Sequence, residues 1–420
     1  MDRRVLFAIL ILFAGGATGV GVAMFAFVGL DDTNTEATVV WESEPAPGDD
    51  GTGTATVDVD GETLVVQPTV EDGDRAVRAV VPGDGRAWTT RIPGATGETD
   101  DAGSDAETDD GGDPVGVSRL ATGTLAGDPV VALTTAPGRL VVLNADDGEE
   151  RFAVDLEGSG GTAPAIGDPT GDGESLVATA GTDGTVLAVD GEGEPVFEAS
   201  VDGRIERPPL VVTPDPDPDG RDEPVPGGVA ILTAGRDPGT VHLFDESGET
   251  RWTATPEVTA VGWTVAETRR GPVLALGGSN GNLEALEGAD GSSRYEVGLQ
   301  DRPVAVGDVD GGQVLVGGGG SVWAVNLLDG EVVWKQQFGG QTRVNPPGIG
   351  ELTGDDTPES AAVNREGEVL GLTRNGEVVV RGSVPETVVY AGPRFADADD
   401  DGTDEVLVVD GDGVIRALST

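Results

Sequence analysis

Cysteine is absent from the chain, which excludes disulfides, thiolate metal sites and a cysteine-linked lipid anchor. Lysine occurs once, as Lys335, and histidine once, as His242, so no lysine-rich patch and no multi-histidine metal centre can form. Aromatic residues make up only 4% of the sequence. Bases number 25 against 76 acids, and the resulting formal charge of −51 opposes binding to nucleic acid and to anionic lipid headgroups.

Glycine is plentiful instead, with 68 among 420 residues, and it separates short runs of apolar and β-branched residues. That composition suits many short strands joined by tight turns. Residues 302–340 show the unit: an apolar run at 314–316, four glycines, a second run at 321–326, a turn at 327–330 and a third run at 331–338. It reads as an antiparallel meander. The run Gly317–Gly320 has neither a following helix nor a Lys-Ser/Thr, so it reads as a hairpin turn and not a phosphate loop.

A glycine followed four positions later by an aromatic residue marks the end of each unit. It occurs as Gly148/Phe152, Gly193/Phe197, Gly248/Trp252, Gly291/Tyr295 and Gly330/Trp334. Gly85/Trp88 is one residue tighter, Gly376/Val380 has lost the aromatic, and Trp41 stands alone at the front. Successive markers lie 39 to 64 residues apart, the size of a four-stranded propeller blade. The longest interval holds residues 94–116, acidic and without apolar periodicity, which reads as a disordered surface insertion. The chain stops one strand short of a complete last unit. Residues 38–46 are expected to supply it by joining 387–420, closing a ring of eight blades without exposed edges at the seam.

Ala324, Asn326, Gly330 and Trp334 have a spacing that resembles the tryptophan-docking motif of the PQQ-type β-propeller family. The resemblance covers about residues 38–420 and implies an all-β, eight-bladed propeller of four-stranded antiparallel blades. The family includes quinone-dependent dehydrogenases and non-enzymatic scaffolds. The dehydrogenases hold their quinone near the axis with Ca²⁺, a catalytic carboxylate, a basic residue and often a vicinal disulfide. Here that disulfide is impossible, Lys335 falls on an outer strand, and no acid or arginine matches a family catalytic position. No catalytic or quinone-binding residue is therefore assigned, and PQQ is not expected. The family's best-known scaffold helps assemble an outer membrane. The acidic, lysine-poor composition resembles that of extreme halophiles, a likeness that implies an archaeal source; at ~1 M salt a Debye length of ~3 Å screens the self-repulsion.

The sharpest chemical signal is a set of acidic loops. Asp397, Asp399, Asp401 and Glu405 surround Gly402, with the Thr403 carbonyl between them, directly before the run 406–409. Asp215, Asp217, Asp219 and Glu223 surround Gly220 in the same pattern. Alternating oxygen ligands, a glycine for the bend and a closing carboxylate are what a Ca²⁺ loop requires. The spacing resembles the Ca²⁺ loops of FG-GAP propeller repeats, which lie between the first and second strands of a blade. Partial copies run through Glu351–Glu359, Asp168–Gly173 and Asp308–Gly311. The competing interpretation is a solvated acidic turn. His242 has no second histidine beside it and reads as a satisfied polar residue.

Residues 5–30 contain no charge and are long enough to cross a ~30 Å hydrocarbon core. Arg3 and Arg4 precede them, while Asp31, Asp32 and Glu36 follow, so residues 1–4 are expected in the cytoplasm and the bulk outside. Residues 31–37 read as a linker. The combined expectation is a single-pass, membrane-anchored scaffold at the cell surface, binding a protein or glycan partner through a Ca²⁺-stabilised propeller. A quinone-dependent dehydrogenase and a carbohydrate- or peptide-binding receptor are the alternatives.

Overall fold

The middle strands of each unit are unbroken apolar runs because both of their faces are covered. In Gly228–Ala234, Val229 and Ile231 join the core on one side, while Ala230 and Leu232 join the core on the other. Side chains alternate along a strand, so a sheet sandwiched between two neighbours must be apolar at every position. A computed structural model describes residues 35–93, 116–156, 158, 160–219, 223–234, 238–355, 357–384, 387–399 and 401–419.

These residues form an all-β propeller of eight blades, each built on four antiparallel strands, with short fifth strands, Arg204–Ile205 and Thr35–Glu36, added to the sheets of blades 4 and 7. In chain order the first seven occupy residues 55–91, 121–155, 165–200, 204–254, 260–298, 305–337 and 348–383. The eighth is composite: Arg394–Ala396, Glu405–Val409 and Ile415–Ser419 pair in order, and Thr38–Glu42 adds antiparallel outside them. The first strands of successive blades touch around the axis, and Ala55–Val59 of blade 1 meets Arg394–Ala396 of blade 8. Eight apolar cores lie between the eight adjacent pairs of blades.

One contact recurs between blades. The marker aromatic on the outermost strand of one blade lies on the marker glycine of the next. A Cβ added to Gly148 would lie 2.5 Å from the Trp88 ring, and one on Gly376 would lie 2.5 Å from that of Trp334. Gly193, Gly248, Gly291 and Gly330 meet Phe152, Phe197, Trp252 and Tyr295 in the same way, and all six glycines have positive φ. Glycine is therefore required twice at this turn, for its backbone conformation and for the ring seated against it. Where the aromatic is tryptophan, its indole N–H donates to a carbonyl of the same turn: Trp88 to Ala145 at 2.8 Å, Trp252 to Gly288 at 3.0 Å and Trp334 to Arg374 at 2.9 Å. Phe152 and Tyr295 have no such donor. There the preceding arginine supplies it, Arg151 to Gly191 at 3.1 Å and Arg294 to Leu327 at 3.2 Å.

Blade 7 breaks the pattern because blade 8 offers it no turn. The third and fourth strands of blade 8 come from opposite ends of the chain, so no glycine turn faces Val380, and the aromatic has no seat there. Part of the expected linker takes up the space: Thr35–Glu36 pairs in parallel with Val378–Ser383, and Ala37 packs into the core between blades 7 and 8. The seam between blades 8 and 1 is tied by a buried polar network. Arg78 donates to the carbonyls of Glu44 at 2.8 Å and Pro45 at 2.9 Å and to Gln67 Oε1 at 2.7 Å. Gln67 in turn donates to Asp49 and to the Gly413 carbonyl, both at 3.2 Å. Buried polar groups satisfied in this way order the seam.

Among the described residues, no helix is long and apolar enough to cross a membrane. The expected span at residues 5–30 lies outside the described residues, as do residues 94–115 of the expected insertion.

Docking residues are expected to differ in what they contribute. Gly376→Ala should lower stability by about 2 kcal/mol or more, since it imposes both a strained φ and a clash with Trp334. Tyr295→Phe should be neutral or gain up to ~1 kcal/mol, because the Tyr295 hydroxyl is buried without a partner. Denaturant unfolding at constant high salt measures both, and equal losses would contradict the docking geometry.

Candidate metal loop and central channel

The loop at 397–405 joins the first and second strands of blade 8. Asp397 organises it, accepting the N–H of Asp401 at 3.1 Å and of Gly402 at 2.9 Å. Gly402 has a φ of 89°, which turns the chain back towards the sheet. Glu405 begins the second strand, is almost fully buried, and accepts the Ala398 N–H at 2.6 Å. Asp397, Asp399 and Glu405 thereby bring carboxylate oxygens within 4.8 Å of one another, the only such group among the described residues. Burial raises the pKa of Glu405, and the charges of Asp399 and Asp401 push the same way. Asp401 is turned elsewhere. It accepts the hydroxyl and the N–H of Thr403, and these bonds lower its pKa. Three converging hard oxygens can serve a divalent cation, which for Ca²⁺ would need further carbonyl or water oxygens.

The other acidic loops are arranged differently. Asp215 forms a backbone bridge with Val225, its carboxylate accepts the Asp217 N–H at 3.0 Å, and the Asp219 N–H donates to Arg269 of blade 5 at 2.6 Å. Asp215, Asp217, Asp219 and Glu223 do not converge among the described residues. Asp168 spends its oxygens on the N–H groups of Thr170, Gly171 and Gly173 at 2.6 to 2.9 Å. Burial pulls its pKa up, but these donors together hold it below the ordinary value. Glu359 resembles Glu405 in use: it is buried, accepts the Leu352 N–H at 2.9 Å, and has its pKa raised by burial. A closing glutamate at the head of a second strand thus has a structural task before any metal is considered.

Inside the ring, the first strands of blades 1, 2, 5, 6, 7 and 8 line a channel of about 800 Å³. Asp58, Asp308, Arg394 and Asp404 are its charged lining residues. Arg394 donates to the carbonyls of Thr54 and Pro393, both at 3.0 Å, and to Gly392 at 3.4 Å. Burial lowers its pKa, while Asp308 and Asp49 oppose the shift. Asp308 faces open space within the channel, yet protein surrounds it, and this burial raises its pKa against the pull of Arg394. Asp404 sits at the mouth and exchanges two hydrogen bonds with Glu351, at 2.6 and 2.8 Å, which tie the loops of blades 7 and 8 together.

Asp308 and Arg394 were not legible as neighbours in one channel lining, since 86 residues separate them and only the ring geometry places both at the axis. Lys335 stands far from them, with its ammonium 4.8 Å from the centre of the Trp323 ring. His242 lies on the third strand of blade 4, 6.3 Å from Phe244 and near parallel to it, and burial lowers its pKa. The four glycines 317–320 form the turn between Gln313–Gly317 and Ser321–Asn326.

No curated protein sequence matches the chain. Solved structures match in fold. BamB from Moraxella catarrhalis is 16% identical, with a TM-score of 0.55, covering 91% of this chain and 98% of that one. Sqt1 of Saccharomyces cerevisiae is 13% identical, with a TM-score of 0.57 and coverage of 92% and 99%. The quinohemoprotein alcohol dehydrogenase ADHIIG from Pseudomonas putida HK5 is 14% identical, with a TM-score of 0.57 and coverage of 93% and 76%. BamB and an alcohol dehydrogenase are thus similar to it in nearly the same degree, and the likeness establishes the fold alone. The family model described as outer membrane protein assembly factor BamB matches residues 104–213 and 237–414, more than half of the chain, and to that family of PQQ-like propellers this protein belongs.

Proposed function

We propose that this protein is a non-enzymatic binding scaffold, anchored in the membrane by residues 5–30 with its propeller outside the cytoplasm, and that Ca²⁺ stabilises the loop at 397–405. The observation that carries the scaffold reading is membership of the BamB family, together with a channel whose one basic lining residue among the described residues, Arg394, is committed to backbone carbonyls. An arginine held in that way positions strands at the axis and has little freedom to grip a quinone. The anchor reading rests on the uncharged run behind Arg3 and Arg4. Protease treatment of intact cells tests it: propeller fragments should be released, and complete protection would refute an external location.

The Ca²⁺ reading rests on the convergence of Asp397, Asp399 and Glu405. At constant high ionic strength, Ca²⁺ should raise the melting temperature, and Asp397→Asn/Asp399→Asn should abolish the rise. An equal response of parent and variant would mean that the loop is a solvated turn.

The pH dependence follows from Glu405. Its folded pKa is raised above the ordinary 4.5, so the folded state holds the proton more tightly than the unfolded chain. Its stabilising contribution is therefore complete below 4.5 and is lost as pH rises through the raised value. Without Ca²⁺, Glu405→Gln should lose less stability than the parent across that window. Bound Ca²⁺ favours the carboxylate and should reduce the difference. Melting curves of both proteins at matched salt read the effect.

A further inference from the structure

Blades 6 and 7 carry nearly the same outermost strand. Val332-Val333-Trp334-Lys335 in blade 6 corresponds to Val378-Val379-Val380-Arg381 in blade 7 when the docking positions are aligned. No other blade has a base directly after its docking residue; the others have Thr89, Ala153, Glu198, Thr253, Glu296 and Glu42. In blade 7 this edge is covered. Thr35–Glu36 pairs with it in parallel, with Thr35 beside Val380 and Glu36 beside Arg381, and Ala37 donates its N–H to the Arg381 carbonyl at 2.7 Å. In blade 6 the same edge is open among the described residues, and Val332 and Val333 are 43% and 46% exposed.

The open edge also lacks the acids and the ion pairs found on the outer strands of other blades. The outer strands of blades 2, 3, 5 and 8 contain acids, while the bases of blades 1 and 4 are ion-paired, Arg86 with Glu71, Arg91 with Asp72, and Arg251 with Glu246. Residues 332–350 contain no acid at all. The edge carries one base and no acid, which leaves it open to addition of a segment that brings a carboxylate. Its backbone is also presented correctly. Phe338 donates inward to Gly320, so alternation turns the N–H groups of Lys335 and Gln337 outward, as the Val384–Gly367 bond does for Arg381 and Ser383 in blade 7.

We propose that the outer edge of blade 6 is a docking site for an extended acidic segment of a partner protein, added in parallel with a carboxylate beside Lys335. The chain's own Thr35–Ala37 on blade 7 shows the chemistry that fits: β-pairing, with a glutamate alongside the base. The proposal rests on the scaffold reading and names the surface and the partner chemistry that reading requires.

The probe is a fluorescent peptide with the sequence of residues 33–41, titrated against the full chain in high salt and followed by anisotropy. Saturable binding is expected, weakened roughly tenfold or more by Gln337→Pro, which removes an outward N–H that the blade does not use. Lys335→Glu should weaken the parent peptide and favour a peptide with Glu36→Lys. That charge swap keeps the test decisive if Gln337→Pro fails to fold. No binding, or binding unaffected by either substitution, overturns the proposal. Dimerisation of the chain lost in Gln337→Pro would make the occupant a second copy and overturn the assignment to a partner. The scaffold reading is judged separately, by cross-linking in native membranes: partners captured equally by parent and Gln337→Pro would uphold it while refuting this edge.

Discussion

The structure depends on one contact, an aromatic ring on the outer strand of each of blades 1 to 6 seated against a positive-φ glycine in the next blade. Hydrogen bonds within a blade hold four strands together but do nothing to join separate blades. The interblade cores supply apolar burial, which is not directional. The ring-on-glycine contact adds geometry, because a Cβ at Gly148 or Gly376 would displace the ring of Trp88 or Trp334. The added donor, an indole N–H or the arginine before Phe152 and Tyr295, fixes the offset between neighbours.

Ring closure is where this device cannot be used, and three substitutes surround the seam. A composite blade joins the two ends of the described chain, Thr35–Ala37 fills the place that an aromatic would occupy on blade 7, and the Arg78–Gln67–Asp49 network ties blade 1 to blade 8. The acidic loop at 397–405 belongs to the same neighbourhood: the Ala398 carbonyl lies so close to Gly83 of blade 1 that a Cβ there would be 2.2 Å from it. An ion drawing Asp397, Asp399 and Glu405 together would therefore bear on the seam as well as on its own blade. The charge of −51 spread over the surface makes that economical, since it relieves repulsion where carboxylates already crowd.

Much of the architecture was legible from residues alone. Glycine-to-aromatic spacing marked the outer strands, and the apolar runs marked the middle ones, so the eight blades could be counted. The partner of each glycine was not legible. Gly330 precedes Trp334 in sequence and serves the turn before it, yet the ring it accommodates belongs to Tyr295 in the preceding blade. The acidic loops were visible as spacing, but spacing could not tell a converging carboxylate from one bonded to its own backbone. Asp401 and Asp168 differ from Asp399 in that respect, for reasons of side-chain direction and nearby N–H donors.

By itself the sequence determined everything that depends on short-range pattern: strand periodicity, turn positions, the size and number of the units and the sign of the surface charge. The sequence also pointed to residues 38–46 as the strand that completes the last blade, and Thr38–Glu42 pairs there with Ile415–Ser419; tertiary structure alone decided what else meets across the ring, Arg394 and Asp308 in one channel lining and the strand Thr35–Glu36 laid on blade 7 while the matching edge of blade 6 stays open among the described residues. The physical reason is one of range. Within a blade, neighbouring strands are joined by short turns, so the pairing is encoded where it occurs. Between blades and across the seam, the partners lie tens to hundreds of residues apart, and only closure of the whole ring brings them together.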